Sequence, residues 1–316
     1  MKKKVSIIIP CHNEETSLRQ LYAGVTEVTS ALPDYDWELL FINDGSTDGT
    51  LQVIKELRES DGRIGYADLS RNFGKESAML AGIDYATGDC AIIMDADLQD
   101  PPALIPEMLR WWEEGYQDVY ARRKSRGKES WLRRRLTLAY YKLLQRTSRV
   151  NVLQNVGDFR LLDRKCLDAL RQLRESERYT KGLFCWIGYR KKEIEFDRGD
   201  RVSGKSSYSL WTLFNLAIEG ITSFTTAPLR IATLMGFVIS FLTIIYIAYF
   251  LVKTLLYGDP VRGFPTLVIV TLFLGGVQLF SLGIIGEYLG KVYHETKRRP
   301  VYLVNEYAEA NEDEKN

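Results

Sequence analysis

The chain has 316 residues, 46% hydrophobic and 26% charged, and its 42 Lys and Arg against 41 Asp and Glu leave a formal charge of +1. This length admits one large domain with an appendage, and so even a balance hardly constrains partners, the distribution of charge saying more; no nucleic-acid partner is expected. Cys11, Cys90, Cys166 and Cys185 show no CxxC spacing and lie mostly in apolar contexts, which argues against a disulfide framework or zinc site and for a reducing compartment.

The opening "MKKKVSIIIP" has basic residues, but its apolar run of five ends at a proline, too short for a signal-peptide core. It reads as a first strand. Strand-like and helix-like patterns then alternate: "EETSLRQLYAGVTEVTSAL" as helix, "WELLFIND" as strand, "DGTLQVIKELRES" as helix, "RIGYADLS" as strand, "GKESAMLAGIDYAT" as helix and "DCAIIMDAD" as strand. That succession predicts an α/β domain with a mostly parallel central sheet covered by helices on both faces. Ligands of such sheets bind beyond the carboxyl ends of the strands. Three polar clusters fall there, Pro10 to Glu15, Asn43 to Ser46, and Asp95-Ala96-Asp97, and they are expected to meet in one cleft.

Further on, Leu104 to Glu114 reads as helix and Asp118 to Ala121 as a short strand, followed by the basic run "ARRKSRGKESWLRRR" and the amphipathic "LTLAYYKLLQR". "VGDFRLLDRKCLDALRQL" changes from strand-like to helix-like. Residues 207–229 mix aromatic and aliphatic side chains with a few polar ones and are expected to lie as helices on a membrane surface. Ile231 to Val252 and Phe264 to Gly286 carry no charged residue. At about 1.5 Å per residue each is long enough to cross a ~30 Å hydrocarbon core, so the two form an expected transmembrane hairpin. Arg230 before it and Lys291, Lys297, Arg298 and Arg299 after it place both termini in the cytoplasm, with Lys253 and Arg262 in the loop opposing. The predicted divisions are therefore a cytoplasmic domain over 1–206, juxtamembrane helices over 207–229, two spans within 230–290 and a cytoplasmic tail over 291–316. The last dozen residues read as disordered.

Asp95 and Asp97 end an apolar strand at i and i+2, a spacing that puts both side chains on one side of an extended chain. There they can face a hard cation, and magnesium or manganese accepts such oxygen ligands while keeping positions open for substrate phosphates. A lone DxD is a weak signal, and its place in an α/β series strengthens it. "SIIIPCHNEE", "FINDGSTDGT", "LSRNFGKESAMLAGIDYATGD", "IIMDADLQDPP" and "VGDFRLLDR", in this order, resemble the family 2 glycosyltransferases. Within them the chain resembles the polyprenyl-phosphate glycosyltransferase branch, over roughly the first 210 residues and, in its hairpin, the bacterial membrane-anchored members.

The resemblance implies a GT-A-type domain holding a nucleotide-sugar donor, with UDP-glucose or UDP-N-acetylglucosamine foremost and GDP-mannose behind. By matching motifs, Pro10, Asn13, Glu14 and Asp44 would hold base and ribose. Asp95 would sit near ribose and metal, Asp97 would ligate Mg2+ or Mn2+, and Gln99 would lie close by. Helix capping by Asn13 or Glu14 and a plain turn at Asp44 and Gly45 compete with these roles. The acceptor implied is polyprenyl (undecaprenyl) phosphate. Arg122, Arg123, Arg126, Arg133 and Arg134 supply guanidinium groups for it, Arg122 foremost, although a merely headgroup-facing surface would use the same residues. Arg201 and Lys205 in "RVSGKSSY" are further phosphate candidates, but Ser207 stands where the family commonly has Lys. Asp158 in "GDFRL" occupies the family's base position. A phosphate monoester is already largely dianionic near neutrality, its second pKa lying near ~6, so Asp158 is expected chiefly to orient sugar or acceptor. The expected reaction is an inverting, metal-dependent transfer that serves cell-envelope glycan modification, by a chain compatible with self-association. Two alternatives are a processive polysaccharide synthase, opposed by the lack of QxxRW, and a non-catalytic scaffold or translocator of lipid-linked sugar, opposed by the intact acidic residues.

Overall fold

In the first strand, β1 (Lys3–Cys11), Val5, Ile7, Ile9 and Cys11 enter one hydrophobic cluster and Ile8 enters another on the opposite side. The period of two thus sets both faces of the sheet at once. The computed structural model describes residues 2–123, 156–176, 178–196, 227–257 and 263–311. The amphipathic run at 136–146 and the juxtamembrane segment up to residue 226 lie outside them.

After β1 come α1 (Leu18–Ser30), β2 (Tyr35–Asn43), α2 (Thr50–Ser60), β3 (Ile64–Leu69), α3 (Lys75–Tyr85) and β4 (Cys90–Ile93). A 3-10 turn at Pro102–Leu104 leads into α4 (Ile105–Glu113) and β5 (Asp118–Arg123), then β6 (Val156–Asp163), α5 (Arg164–Gln172), α6 (Thr180–Trp186) and β7 (Lys191–Phe196). The eight-stranded sheet has the order β7-β5-β6-β4-β1-β2-β3-β8, β8 being Val304–Ala308. The β1–β2, β1–β4, β2–β3 and β5–β7 pairs are parallel. β6 runs against both β4 and β5, and β8 runs against β3. The sheet is mostly parallel, as its alternating pattern implies.

Helices cover both faces. Leu18, Leu21 and Val25 of α1, Val53, Ile54 and Leu57 of α2, and Ile105, Met108, Leu109 and Trp112 of α4 pack with Ile7, Ile9 and Phe41. On the other face Ala78, Met79 and Ile83 of α3, Leu167 and Leu170 of α5, and Leu183 and Phe184 of α6 pack with Ile8, Leu40 and Ile93. α3 lies so close to β1 that a Cβ at Gly82 would come within 2.1 Å of the Ile8 side chain. Between the antiparallel strands, buried Arg160 reaches buried Asp118 at 3.3 Å, and Lys191 reaches the same carboxylate at 2.6 Å. This three-charge group ties β5, β6 and β7 together beside the apolar packing of Val119, Phe159, Ile194 and Phe196.

Two predicted features are corrected. The fourth strand stops at Ile93, so Asp95 lies two residues past its end and Asp97 in the turn that follows, rather than both on an extended strand tip, with Leu98 in the left-handed region at φ 62°. The turn is drawn inward by Asp100, which is only 4% exposed and accepts the Asp95 N–H at 3.1 Å. Nor is the whole of the last dozen residues disordered. β8 covers the edge of β3, whose N–H and C=O groups would otherwise lack partners. Glu306 receives Lys55 at 2.6 Å and the Tyr66 hydroxyl at 2.5 Å, Arg58 donates to the Glu309 carbonyl at 2.7 Å, and Tyr307 stacks on Tyr85. The polar composition that reads as disorder here supplies partners for β3 and for α2 beside it. Deleting residues 304–316 is expected to lower the thermal midpoint by about 5 °C or more, followed by circular dichroism of the detergent-purified chain. An unchanged midpoint would mean that the strand adds nothing.

Two long helices precede β8, α7 (Ala227–Tyr257) and α8 (Phe264–Thr296). Among the described residues one stretch, Phe273–Thr296, is long and apolar enough to cross a membrane by length and composition. Phe237, Phe241 and Ile244 of α7 and Phe273, Leu279 and Leu282 of α8 stand exposed.

Candidate active site

The parallel strands deliver Pro10 and Cys11, Asn43, Leu69, Ile93 and Arg123 to one edge of the sheet. β6 runs the other way, so it contributes its first residues, Gly157 and Asp158, to that same edge. Its register pairs Ile93 with Arg160, so a chain continued two residues past Ile93 brings Asp95 to Asp158. The two carboxylates meet over Lys75. Its Nζ lies 2.6 Å from Asp95 Oδ1, 2.8 Å from Asp95 Oδ2 and 2.6 Å from Asp158 Oδ2.

Burial alone would raise the Asp158 carboxyl, but the ammonium groups of Lys75 and Lys181 outweigh it and hold the group below its usual range. Because the folded value is the lower one, the stabilisation from this pairing is present above about pH 4 and is lost as the pH falls through the depressed value. Lys75 moves the opposite way. Burial opposes its charge, yet Asp95 and Asp158 raise it above the ordinary lysine value. Asp100 is pushed up to about 7, first by burial and then by the charge of Asp95. It is therefore a structural acid under the turn, where an exposed acidic loop residue is the simplest expectation from sequence.

Asp97 accepts the Gln99 N–H at 3.2 Å and has no other partner among the described residues, and Gln99 is buried with Oε1 lacking a hydrogen-bond partner. Glu14 lies near enough that Asp97 and Asp95 add to the effect of burial in raising its carboxyl, while its 2.6 Å bond from Ser17 works the other way. Asn13 takes φ 57°, donates its N–H to the Ser46 hydroxyl and accepts the Thr47 N–H at 2.8 Å, and the Glu14 N–H goes to the Thr50 hydroxyl. Neither side chain caps α1, which starts later, at Leu18. The loops after β1 and β2 are thus stitched into one wall.

Asp44 is 3% exposed and spends both oxygens on backbone, accepting the Phe73 N–H at 2.7 Å and the Gly74 N–H at 2.9 Å. It clamps the loop after β3, and so the start of α3 and Lys75, onto the loop after β2. Gly45 makes the approach possible, since at φ 59° a Cβ there would fall 2.3 Å from the Arg71–Asn72 backbone.

Pro10 sits in β1 opposite Ile42, half-buried at the rim of this wall. Arg122 is brought to the same edge and gives an N–H to Glu193 of β7 at 2.9 Å. Arg123 ends β5, and Arg126, Arg133, Arg134, Arg201 and Lys205 lie outside the described residues. Lys75 and Arg160 escape a motif-by-motif reading. Lys75 had a signal, because a lysine as the first residue of a helix opposes the helix dipole unless acids lie nearby. A charge inside the strand-like "DFRLL" likewise demands a buried partner, which is Asp118.

Among the described residues no group of three His, Cys, Asp or Glu is arranged to hold a metal unaided. An open Asp97 carboxylate with Asp95 beside it suits an ion that takes one or two protein carboxylates and completes its shell with phosphate oxygens and water. The donor set fits Mg2+ or Mn2+ on those terms.

The glycosyl transferase family 2 pattern matches residues 6–171, which contain Glu14, Asp44, Asp95, Asp97, Asp100 and Asp158, and the GtrB C-terminal hairpin pattern matches residues 227–292, spanning α7 and most of α8. The chain is 46% identical over 306 residues to an uncharacterized glycosyltransferase of Synechocystis sp., covering 97% of this chain and 96% of that one. It is 42% identical over 301 residues to the bactoprenol glucosyl transferase of Shigella phage SfV (95% and 98% covered), and 41% identical over 301 residues to a prophage bactoprenol glucosyl transferase homolog of Escherichia coli (95% and 98% covered). With its acidic edge built from the family's own segment and the GtrB-type hairpin behind it, the chain belongs to glycosyl transferase family 2.

Proposed function

We propose that the protein transfers a hexosyl group, glucose ahead of N-acetylglucosamine, from a UDP-sugar to polyprenyl phosphate at the membrane surface, with inversion at the sugar C1. The observation that carries this reading is the Asp95, Asp97 and Asp158 edge, in a chain alignable over 95% of its length with a bactoprenol glucosyl transferase. Asp44, by pinning Phe73 and Gly74, shapes the wall against which base and ribose would lie, with Pro10, Asn13 and Glu14 in the same wall. Asp97 and Asp95 would hold Mg2+ or Mn2+, which when bound neutralises charge on the departing diphosphate. The arginine side of the edge receives the acceptor. Arg122 gives an N–H to Glu193, and the guanidinium fork carries further donors of the kind that take a phosphate oxygen. The exposed apolar faces of α7 and α8 are read as a two-span hairpin with the catalytic domain on the cytoplasmic side, which brings a lipid phosphate to this edge.

The dianionic phosphate needs no base, and Asp158, locked by Lys75 and charged across the neutral range, orients rather than deprotonates. The transfer rate should therefore rise through about pH 6 with the second phosphate ionisation and then level, in the parent and in Asp158→Asn alike. Loss of that limb in Asp158→Asn would make the carboxylate the titrating base. The donor is tested by a panel of UDP-glucose, UDP-N-acetylglucosamine and GDP-mannose with a short polyprenyl phosphate. Turnover confined to GDP-mannose would overturn the uridine assignment.

A further inference from the structure

Asp95 presents both carboxylate oxygens to one ammonium group, with Lys75 Nζ 2.6 Å from Oδ1 and 2.8 Å from Oδ2. A lysine straddling both oxygens holds the side of the carboxylate that a hard cation would use, since a divalent ion binds carboxylate oxygens at about 2.0–2.6 Å. The same nitrogen lies 2.6 Å from Asp158 Oδ2 on the neighbouring strand. Asp158 Oδ1 is buried and has no hydrogen-bond partner. The base of the lysine cannot drift, because the N–H of the preceding Gly74 is held by Asp44 at 2.9 Å. Only its flexible side chain is free to move, and its side chain is 43% exposed.

We propose that Lys75 is a built-in counter-ion for the acidic edge, which a divalent cation displaces from Asp95 and which then stays with Asp158. This deepens the reading of the site as metal-dependent and rests on it. Before the cation and diphosphate arrive, the ammonium offsets the crowding of Asp95 and Asp158, with Asp97 close by. On loading it yields Asp95 and closes on Asp158, whose unpartnered oxygen accepts the second hydrogen bond. Lys75 is thus a positioning residue. It sets the affinity for the cation through Asp95 and fixes the orientation of Asp158 through the bond it keeps.

The competition has a sign that a merely structural lysine would not give. Two cations that exclude each other from one carboxylate are coupled reciprocally, so removing one tightens binding of the other. The full-length protein in detergent is titrated with Mn2+ alone, without nucleotide or acceptor, and free Mn2+ is read by electron paramagnetic resonance. Lys75→Gln is expected to bind Mn2+ about tenfold more tightly than the parent, within the usual range of site-to-site coupling. Asp158→Asn removes the residue to which the ammonium retreats, so it should bind Mn2+ several-fold more weakly. This second variant leaves Lys75 in place and keeps the test open if Lys75→Gln fails to fold. Unchanged or weaker Mn2+ binding by folded Lys75→Gln, or unchanged or tighter binding by Asp158→Asn, would overturn the assignment. Opposite shifts in the two variants support it. If those shifts appear while no lipid-linked product forms, the acceptor reading fails and the role of Lys75 stands.

Discussion

Asp97→Asn is expected to lower sugar transfer by about 10²–10³-fold, the scale on which loss of one group stabilising transition-state charge is felt. The fold should hardly notice. Among the described residues Asp97 accepts one hydrogen bond, from the Gln99 N–H at 3.2 Å, and an asparagine oxygen accepts it equally well. What is lost is the negative charge, in a turn held by the Asp100 carboxylate and not by Asp97. The thermal midpoint should therefore stay with the parent while steady-state transfer collapses. A variant that unfolds would mean that Asp97 is a structural acid, and a variant that keeps most of its activity would remove it from the leaving-group side of the reaction.

Asp44→Ala should behave in the reverse order, with stability lost first. Both carboxylate oxygens accept backbone N–H groups, from Phe73 at 2.7 Å and Gly74 at 2.9 Å, and the residue is almost wholly buried. Hydrogen bonds to a charged group contribute about 1.5–3 kcal/mol each, so losing the two and leaving their donors unsatisfied should cost about 3–5 kcal/mol of unfolding free energy in denaturant titration. Activity should fall with it, because the loop released carries Gly74 and, next to it, Lys75. Asp44→Asn separates the two effects. One amide oxygen still accepts one N–H, so roughly half of the loss should return. A fully stable Asp44→Ala variant with lost donor binding would show instead that Asp44 acts on the donor directly.

How much of this was legible in the sequence depends on the range of the forces involved. β1 to β4 and their intervening helices follow from local periodicity, because Val5, Ile7, Ile9 and Leu39, Phe41 alternate onto the same cluster whatever lies elsewhere. The convergence of residues 10–15, 43–46 and 95–97 follows from strand direction alone. The end of β4 does not, since apolar residues followed by alternating acids suit an extended strand. It is the burial of Asp100, a tertiary fact, that bends the chain after Ile93. β8 escapes for the same reason. "VNEYA" is too polar to nominate itself as a strand, and it pairs with the edge of β3, where Tyr66 and Lys55 of α2 hold Glu306. The site shows the same division. Its acids stand out in the motifs, whereas the lysine bridging two of them comes from a different helix, and the Glu193 that holds Arg122 comes from a strand some seventy residues later.

The central claim is that this acidic edge moves a sugar onto a lipid phosphate. The most direct measurement uses the detergent-purified full chain with radiolabelled UDP-glucose, Mg2+ or Mn2+ and a short polyprenyl phosphate, and counts label in the organic phase beside the Asp97→Asn control. The expected result is an organic-extractable product that needs both the lipid phosphate and a divalent ion, and that falls to near background in the control. No lipid-extractable label from this donor or any other common nucleotide sugar, with folded protein in hand, would contradict it.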